Sequence, residues 1–220
     1  MANSKTMAAY ESIKEMLITG ALAPNTFISE EILQKMLSMS RTPIREAIQM
    51  LTKEQFFEIY PRKGIGVADI TLELLNEIYD YREINEPYVA RLACGKIPDM
   101  ILFDLRQKFS NPPSSSFDEK RKYLINLDYL LHSTILNYCS NRFLKETMTV
   151  VLAHDQRIKY FSYDEQKNDS ISVPEHIKII DSFLARDLDK IHETVLFHVK
   201  NSRQSVVSSI LDKFINANNL

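Results

Sequence analysis

Tryptophan is absent from this sequence, and its 220 residues include only four glycines and two cysteines. Scarce glycine beside abundant Leu, Ile, Lys and Glu disfavours loop-rich architectures and points to a mostly helical chain. Cys94 and Cys139 lie in unrelated helical segments, and their spacing matches no metal-binding or redox motif. Reduced thiols in a cytoplasmic protein are therefore expected. No run of eighteen apolar residues occurs, so no membrane-spanning helix is expected. The opening MANSKTMAAYESIKEM lacks the apolar core of a signal peptide. An excess of positive charge is missing too: the formal net charge is −2, and residues 1–70 hold eight Lys/Arg against eight Asp/Glu. Any case for nucleic acid must rest on where charges sit, not on how many there are.

What is present is an ordinary globular composition, 45% hydrophobic and 25% charged, in a chain long enough for one large or two smaller domains. Thr6–Thr19 carries apolar residues at helical spacing (Tyr10, Ile13, Met16, Leu17) and stops at Gly20, with Pro24 beyond. Ser29 caps a short helix through about Met36, with Glu30 and Glu31 in its first turn. Either Ser40 or Thr42 can cap the next helix, which runs to about Lys53 on Ile44, Ala47, Ile48 and Leu51. Two β-prone runs, Phe56–Tyr60 and Ile65–Ile70, then flank Pro61-Arg62-Lys63-Gly64 and read as a hairpin. Three helices followed by a basic-tipped hairpin is the order of a winged helix-turn-helix, over residues 1–70. Residues 71–220 read as six helices, about 71–95, 98–109, 117–139, 141–163, 173–186 and 188–216. The expected fold is thus mainly α, a winged helix-turn-helix plus an antiparallel helical bundle.

The stretch Ser40–Ile48, SRTPIREAI, places Arg41 and Arg45 one turn apart at a helix start, against the helix dipole. The second helix of a helix-turn-helix reaches base edges with its N-terminal residues, and Arg pairs bidentately with guanine or binds phosphate. Ser40 and Thr42 add hydroxyls suited to phosphate, and Arg62 and Lys63 at the hairpin tip are placed for the neighbouring backbone or minor groove, Gly64 permitting close approach. A solvated helix start has the same spacing, so spacing alone leaves both readings open. Residues 6–70 resemble the DNA-binding domain of the GntR family of bacterial transcription regulators. The likeness rests on ITGALAP, the SRTPIREAI core, Leu51 three residues on, and the R-x-G wing tip. The resemblance implies DNA contact by Arg41, Thr42, Arg45 and Gly64, with Arg62 and Lys63 assisting. Two positions depart from the family pattern, where Asn25 and Gln55 replace glycines.

In YLINLDYLLHSTILNY, residues 123–138, Leu124, Leu127, Leu131, Ile135 and Tyr138 form one apolar stripe. Asp128 falls within it and His132 at its edge. A buried carboxylate needs a cation, a metal or strong donors, and an Asp and a His at i,i+4 can face one ion or simply bond each other. Farther on, His176 opens a helix, while His192 and His198 flank opposite sides of the stripe Leu188, Ile191, Val195, Val199, so periodicity cannot choose between them. The second domain resembles the FCD class of GntR effector domains through YREINEPYVARLA, D-x-x-x-H at Asp128 and His132, Asn141, Glu175-His176, and His198. Many members bind a divalent metal with an Asp and three His at these places. The resemblance therefore implies Asp128, His132, His176 and His198 as ligands, and places His154 and His192 outside the set. Six helices rather than seven suggest the VanR-like subgroup. Mixed N/O ligation suits Zn²⁺, Ni²⁺ or Mn²⁺. The resemblance further implies an organic acid held at that metal. Arg82 and Glu86 share the apolar face of the domain's first helix; either they pair, or Arg82 clamps the effector's carboxylate.

The resulting expectation is a ligand-responsive transcription regulator, not an enzyme, that binds pseudo-palindromic operator DNA as a homodimer. The alternative is a metal-dependent hydrolase of the helical HD type, suggested by His154-Asp155 in AHDQR. That pair reads more easily as an exposed one on a helix face.

Overall fold

The computed structural model describes residues 4–62, 64–113, 116–162 and 172–218, with side chains through residue 212. The chain is mainly α and divides into two compact units, Met1–Thr71 and Leu72–Leu220. Among the described residues no helix is long and apolar enough to cross a membrane.

In the first unit, α1 (Ser4–Ile18) packs on α3 (Arg41–Lys53), and α2 (Glu30–Leu37) packs beside α3. Their periodic apolar positions close a core in which Ile13, Leu17, Leu33, Ile44, Ala47 and Leu51 are fully buried. Ser29 caps α2 by accepting from the Ile32 amide, at 3.3 Å. Ser40 is the N-cap residue of α3, yet its side chain makes no capping bond. Lys14 ties α1 to the end of α3 through Glu54 Oε2 (2.7 Å), and Tyr10 reinforces the link at Glu54 Oε1 (2.7 Å).

β2 (Phe57–Tyr60) and β3 (Gly64–Val67) form the wing hairpin. A third strand not anticipated from sequence, β1 (Phe27–Ile28), pairs with β3 to give the order β1-β3-β2. Two residues are too few to show any period, so only the pairing reveals it. The expected strand Ile65–Ile70 runs instead from Gly64 to Val67, and beyond it the Ile70 amide donates to the Asp69 side chain at 2.8 Å. Both glycine replacements adopt left-handed backbone, Asn25 at φ 57° and Gln55 at φ 64°. At Gln55 the reason is a Schellman ending of α3: Phe56 N–H donates to Leu51 O (2.9 Å) and Gln55 N–H to Thr52 O (3.0 Å). The wing thus leaves α3 as a glycine would direct it, at the steric cost of a Cβ in this region.

Among the described residues, the second unit contains α4 (Leu72–Ala93), α5 (Asp99–Ser110), α6 (Phe117–Tyr138), α7 (Arg142–Ser162), α8 (Val173–Leu184) and α9 (Leu188–Asn218). α4 packs against α6, α7 and α9, and α8 lies between α5 and α9. Periodic apolar faces build this core as well, including Leu75, Leu131, Ile158, Ile179, Ile191 and Val199. Polar side chains interrupt those faces on α4, α6, α7, α8 and α9, and these interruptions form the site described below.

Replacing Gln55 with Gly removes the Cβ conflict and is expected to stabilise the first unit by roughly 0.5–1 kcal/mol. A urea unfolding curve with a raised midpoint and unchanged slope is the expected result.

Candidate metal centre and nucleic-acid interface

Asp128 and His132 project from adjacent turns of α6, His176 from the start of α8, and His198 from α9; all four are buried. One potential ligand atom from each lies within 4.8 Å of all the others. His132 Nε2 and His198 Nε2 are 3.3 Å apart, and Asp128 Oδ1 is 2.9 Å from His176 Nε2. Asp128 Oδ1 also lies 4.0 Å from His132 Nε2 and 3.9 Å from His198 Nε2. Donors of one small ion sit about 3 Å apart, so the spacing suits a shared cation.

Each donor is held from behind. His198 Nδ1 bonds Glu175 Oε2 (2.9 Å), and His132 Nδ1 lies 3.0 Å from Glu86 Oε2. His176 Nδ1 meets Ser172 Oγ at 3.4 Å, and Lys159 Nζ donates to Asp128 Oδ2 at 2.6 Å. A proton on the outer nitrogen leaves the inner Nε2 lone pair free for a metal. Burial, reinforced by the neighbouring His198, pushes His176 down to about 3. Burial likewise lowers His198, so both imidazoles are neutral near pH 7, the form a metal ligates. Burial opposes ionisation of Asp128, but the Lys159 ammonium beside it outweighs that and holds its carboxyl well below the usual range.

The surrounding contacts form a ring. Lys159 joins Asp128 to Asp155 (2.9 Å), Asp155 lies 2.5 Å from Arg82, and Arg82 bonds Glu86 (2.5 Å), which returns to His132. Asp128, Asp155, Glu86 and Glu175 formally supply four negative charges against the two positive charges of Lys159 and Arg82. A divalent cation offsets the remaining two. Three imidazoles and one carboxylate are also a donor set that divalent transition metals accept. The residues present therefore fit a divalent metal.

Of the two alternatives for Arg82 and Glu86, the structure realises their mutual pairing: both are buried, behind His132. Neither lines the adjacent cavity of about 370 Å³, whose wall includes Asp128, His176, His198, Lys159, Glu175 and Phe109. Among the described residues of that wall, Lys159 is the cation. The expectation that His154-Asp155 is an exposed pair is corrected, because both residues are 2% exposed. Asp155 belongs to the ring, whereas His154 is outside the four-donor group and His192 is exposed. Sequence reasoning missed Lys159 and Asp155 as partners. Their positions continue the buried stripe Met148, Leu152, Asp155, Ile158 of α7, which was the available signal.

In the first unit, Arg41 and Arg45 leave consecutive turns at the start of α3 with side chains 60% and 56% exposed. Their Nε atoms donate to the two oxygens of Glu30, at 2.9 and 2.8 Å. Ser40 and Thr42 are exposed beside them. A groove of about 680 Å³ is lined by Glu30, Arg41, Arg45, Gln49, Tyr60, Arg62 and Gly64, so helix start and wing tip border one concave surface. Lys63 lies outside the described residues.

Residues 5–67 match the family profile of bacterial regulatory proteins, gntR family, and residues 77–201 match that of the FCD domain. The Nta operon transcriptional regulator of Aminobacter aminovorans is 25% identical over 195 residues, covering 89% of this chain and 91% of that protein. The HTH-type transcriptional repressor RspR of Escherichia coli is 22% identical over 197 residues, covering 90% of this chain and 86% of that protein. Among solved structures, E. coli McbR/YncC superposes with a TM-score of 0.78 at 17% identity, covering 96% of this chain and all of that one (100%). A GntR-family transcriptional regulator from Pseudomonas syringae pv. tomato gives a TM-score of 0.56 at 18% identity, covering 98% of this chain and 89% of that one. At these identities the two structures establish fold.

The donor set makes a specific forecast for metal affinity. Glu175→Gln, which neutralises the carboxylate behind His198 while keeping its shape, is expected to weaken metal binding by about 10–100-fold. His198→Ala should abolish stoichiometric binding, and His192→Ala should leave it intact. Competition with a chromogenic chelator measures all three.

Proposed function

This chain belongs to the gntR family of bacterial regulatory proteins, in the class carrying an FCD domain, and from that premise we propose how it regulates transcription. A homodimer in the cytoplasm reads a pseudo-palindromic operator, one first unit per half-site. The observation that carries this reading is the pair Arg41 and Arg45, exposed at the start of α3 in the helix-turn-helix. Ser40 and Thr42 hold phosphate beside them, and Arg62, Lys63 and Gly64 bring the wing to the neighbouring backbone.

In the second unit, Asp128, His132, His176 and His198 hold a divalent metal, Zn²⁺, Ni²⁺ or Mn²⁺. The metal supplies a Lewis-acidic anchor for a small organic acid in the adjoining cavity. Lys159, on that cavity's wall, provides the counter-charge for the acid, while Arg82 and Glu86 brace His132 from behind. The effector changes DNA affinity only through a preference for one arrangement of the dimer, since equal affinity for two arrangements shifts neither.

The hydrolase alternative requires Asp155 as a metal ligand. Its two oxygens instead face Arg82 and Lys159, and it lies outside the four-donor group.

Arg45→Ala tests the DNA-reading assignment. Its expected cost is about 1–3 kcal/mol in operator binding, with relaxed preference at one base position. Fluorescence anisotropy on the operator measures it, and unchanged affinity would remove α3 from the recognition role.

A further inference from the structure

Glu30 is an acidic side chain within a surface assigned above to a polyanion. It opens α2, where a negative charge is favoured by the helix N-terminus, but that does not explain its contacts. One carboxylate accepts Arg41 Nε on Oε2 and Arg45 Nε on Oε1, bridging two guanidiniums that α3 places one turn apart. Exposed ion pairs add little to stability. Their consequence here is geometric. Each guanidinium has its Nε edge occupied, so the Nη pair is the edge left to present a fork of donors. Two long, flexible side chains are thereby fixed in orientation before any partner arrives, which reduces the ordering cost of binding.

The same carboxylate lowers the charge of the surface. Two guanidiniums and one carboxylate carry one net positive charge instead of two. Non-specific DNA affinity rises with the number of phosphates neutralised, whereas base readout depends on the direction of the donor fork. A group that aims the forks while cancelling a charge favours sequence readout over indiscriminate phosphate binding. Burial acts against the ionised form of Glu30, but Arg45 and Arg41 outweigh it and lower its pKa. Glu30 and both arginines line the groove between α3 and the wing, so the brace lies within the binding surface.

We infer that Glu30 is a positioning residue that sets DNA specificity, bracing Arg41 and Arg45 through their Nε atoms while offsetting one of their charges. This rests on the DNA-reading role proposed for α3. Glu31, in the same first turn, hydrogen-bonds with Ser29 and serves as a control for loss of charge alone.

The test uses the full-length chain with two duplex probes, a sequence enriched by the wild type from a random 30-base-pair pool and a scrambled duplex of equal length. At about 0.1 M salt, Glu30→Gln is expected to bind the scrambled duplex about eightfold more tightly, with a log–log salt slope steeper by about one. The ratio of enriched to scrambled affinity should fall about tenfold. Glu31→Gln should shift both affinities together and preserve the ratio. An unchanged ratio in Glu30→Gln overturns the inference, since Glu30 would then act only as a competing anion. Failure of the wild type to enrich any sequence is a separate outcome: it removes the DNA-reading role and the brace with it.

Discussion

A carboxylate buried in a helical core must be compensated, and Asp128 is such a group. It lies beside three imidazoles, buried among the helices of the second unit. A lone ionised carboxylate there would be prohibitively costly, so the surroundings are arranged to prevent that state. Lys159 covers one oxygen, and the other points at the histidine nitrogens. From this constraint follow Asp155 to balance Lys159, Arg82 to balance Asp155, and Glu86 to link Arg82 with His132. Because the members come from α4, α6 and α7, the ring also joins three helices. α4 opens the second unit, so Glu86 and Arg82 bring the proposed metal centre into contact with the helix that directly follows the first unit in sequence.

The first unit meets a different electrostatic problem. Its Lys/Arg and Asp/Glu counts balance, so it has no general attraction for a polyanion. Charge is concentrated instead at the start of α3 and at the wing tip, on one groove. Placing arginines where the helix dipole disfavours them costs stability, and Glu30 offsets part of that while constraining their direction.

Much of this architecture is legible from hydrophobic periodicity. The helices of both units carry long apolar stripes, and their breaks coincide with Gly20, Pro98 and Asn111-Pro112-Pro113. β1 was not legible, since two residues have no period and its identity lies in pairing with Gly66 and Ile65. At Gln55 the local preference of the residue opposes the backbone it adopts, and the Schellman hydrogen bonds prevail. The i,i+4 relation of Asp128 and His132 is visible in sequence, but spacing could not choose His198 over His192. Packing of α9 turns His198 inward and leaves His192 exposed. The links Glu175–His198 and Lys159–Asp128 span 23 and 31 residues and cannot be read from a local pattern. His154-Asp155 looks like a surface pair in sequence because charge normally marks the solvent face, yet Asp155 lies in the buried stripe of α7 and pairs with Lys159 one turn on.

The proposed metal centre is tested most directly by X-ray absorption at the metal edge of the full-length protein, as purified and after loading with Zn²⁺, Ni²⁺ or Mn²⁺. The account predicts a ligand shell with the scattering signature of three imidazoles and at least one carboxylate oxygen. A shell without imidazoles, or failure of every one of these ions to bind stoichiometrically, would contradict it.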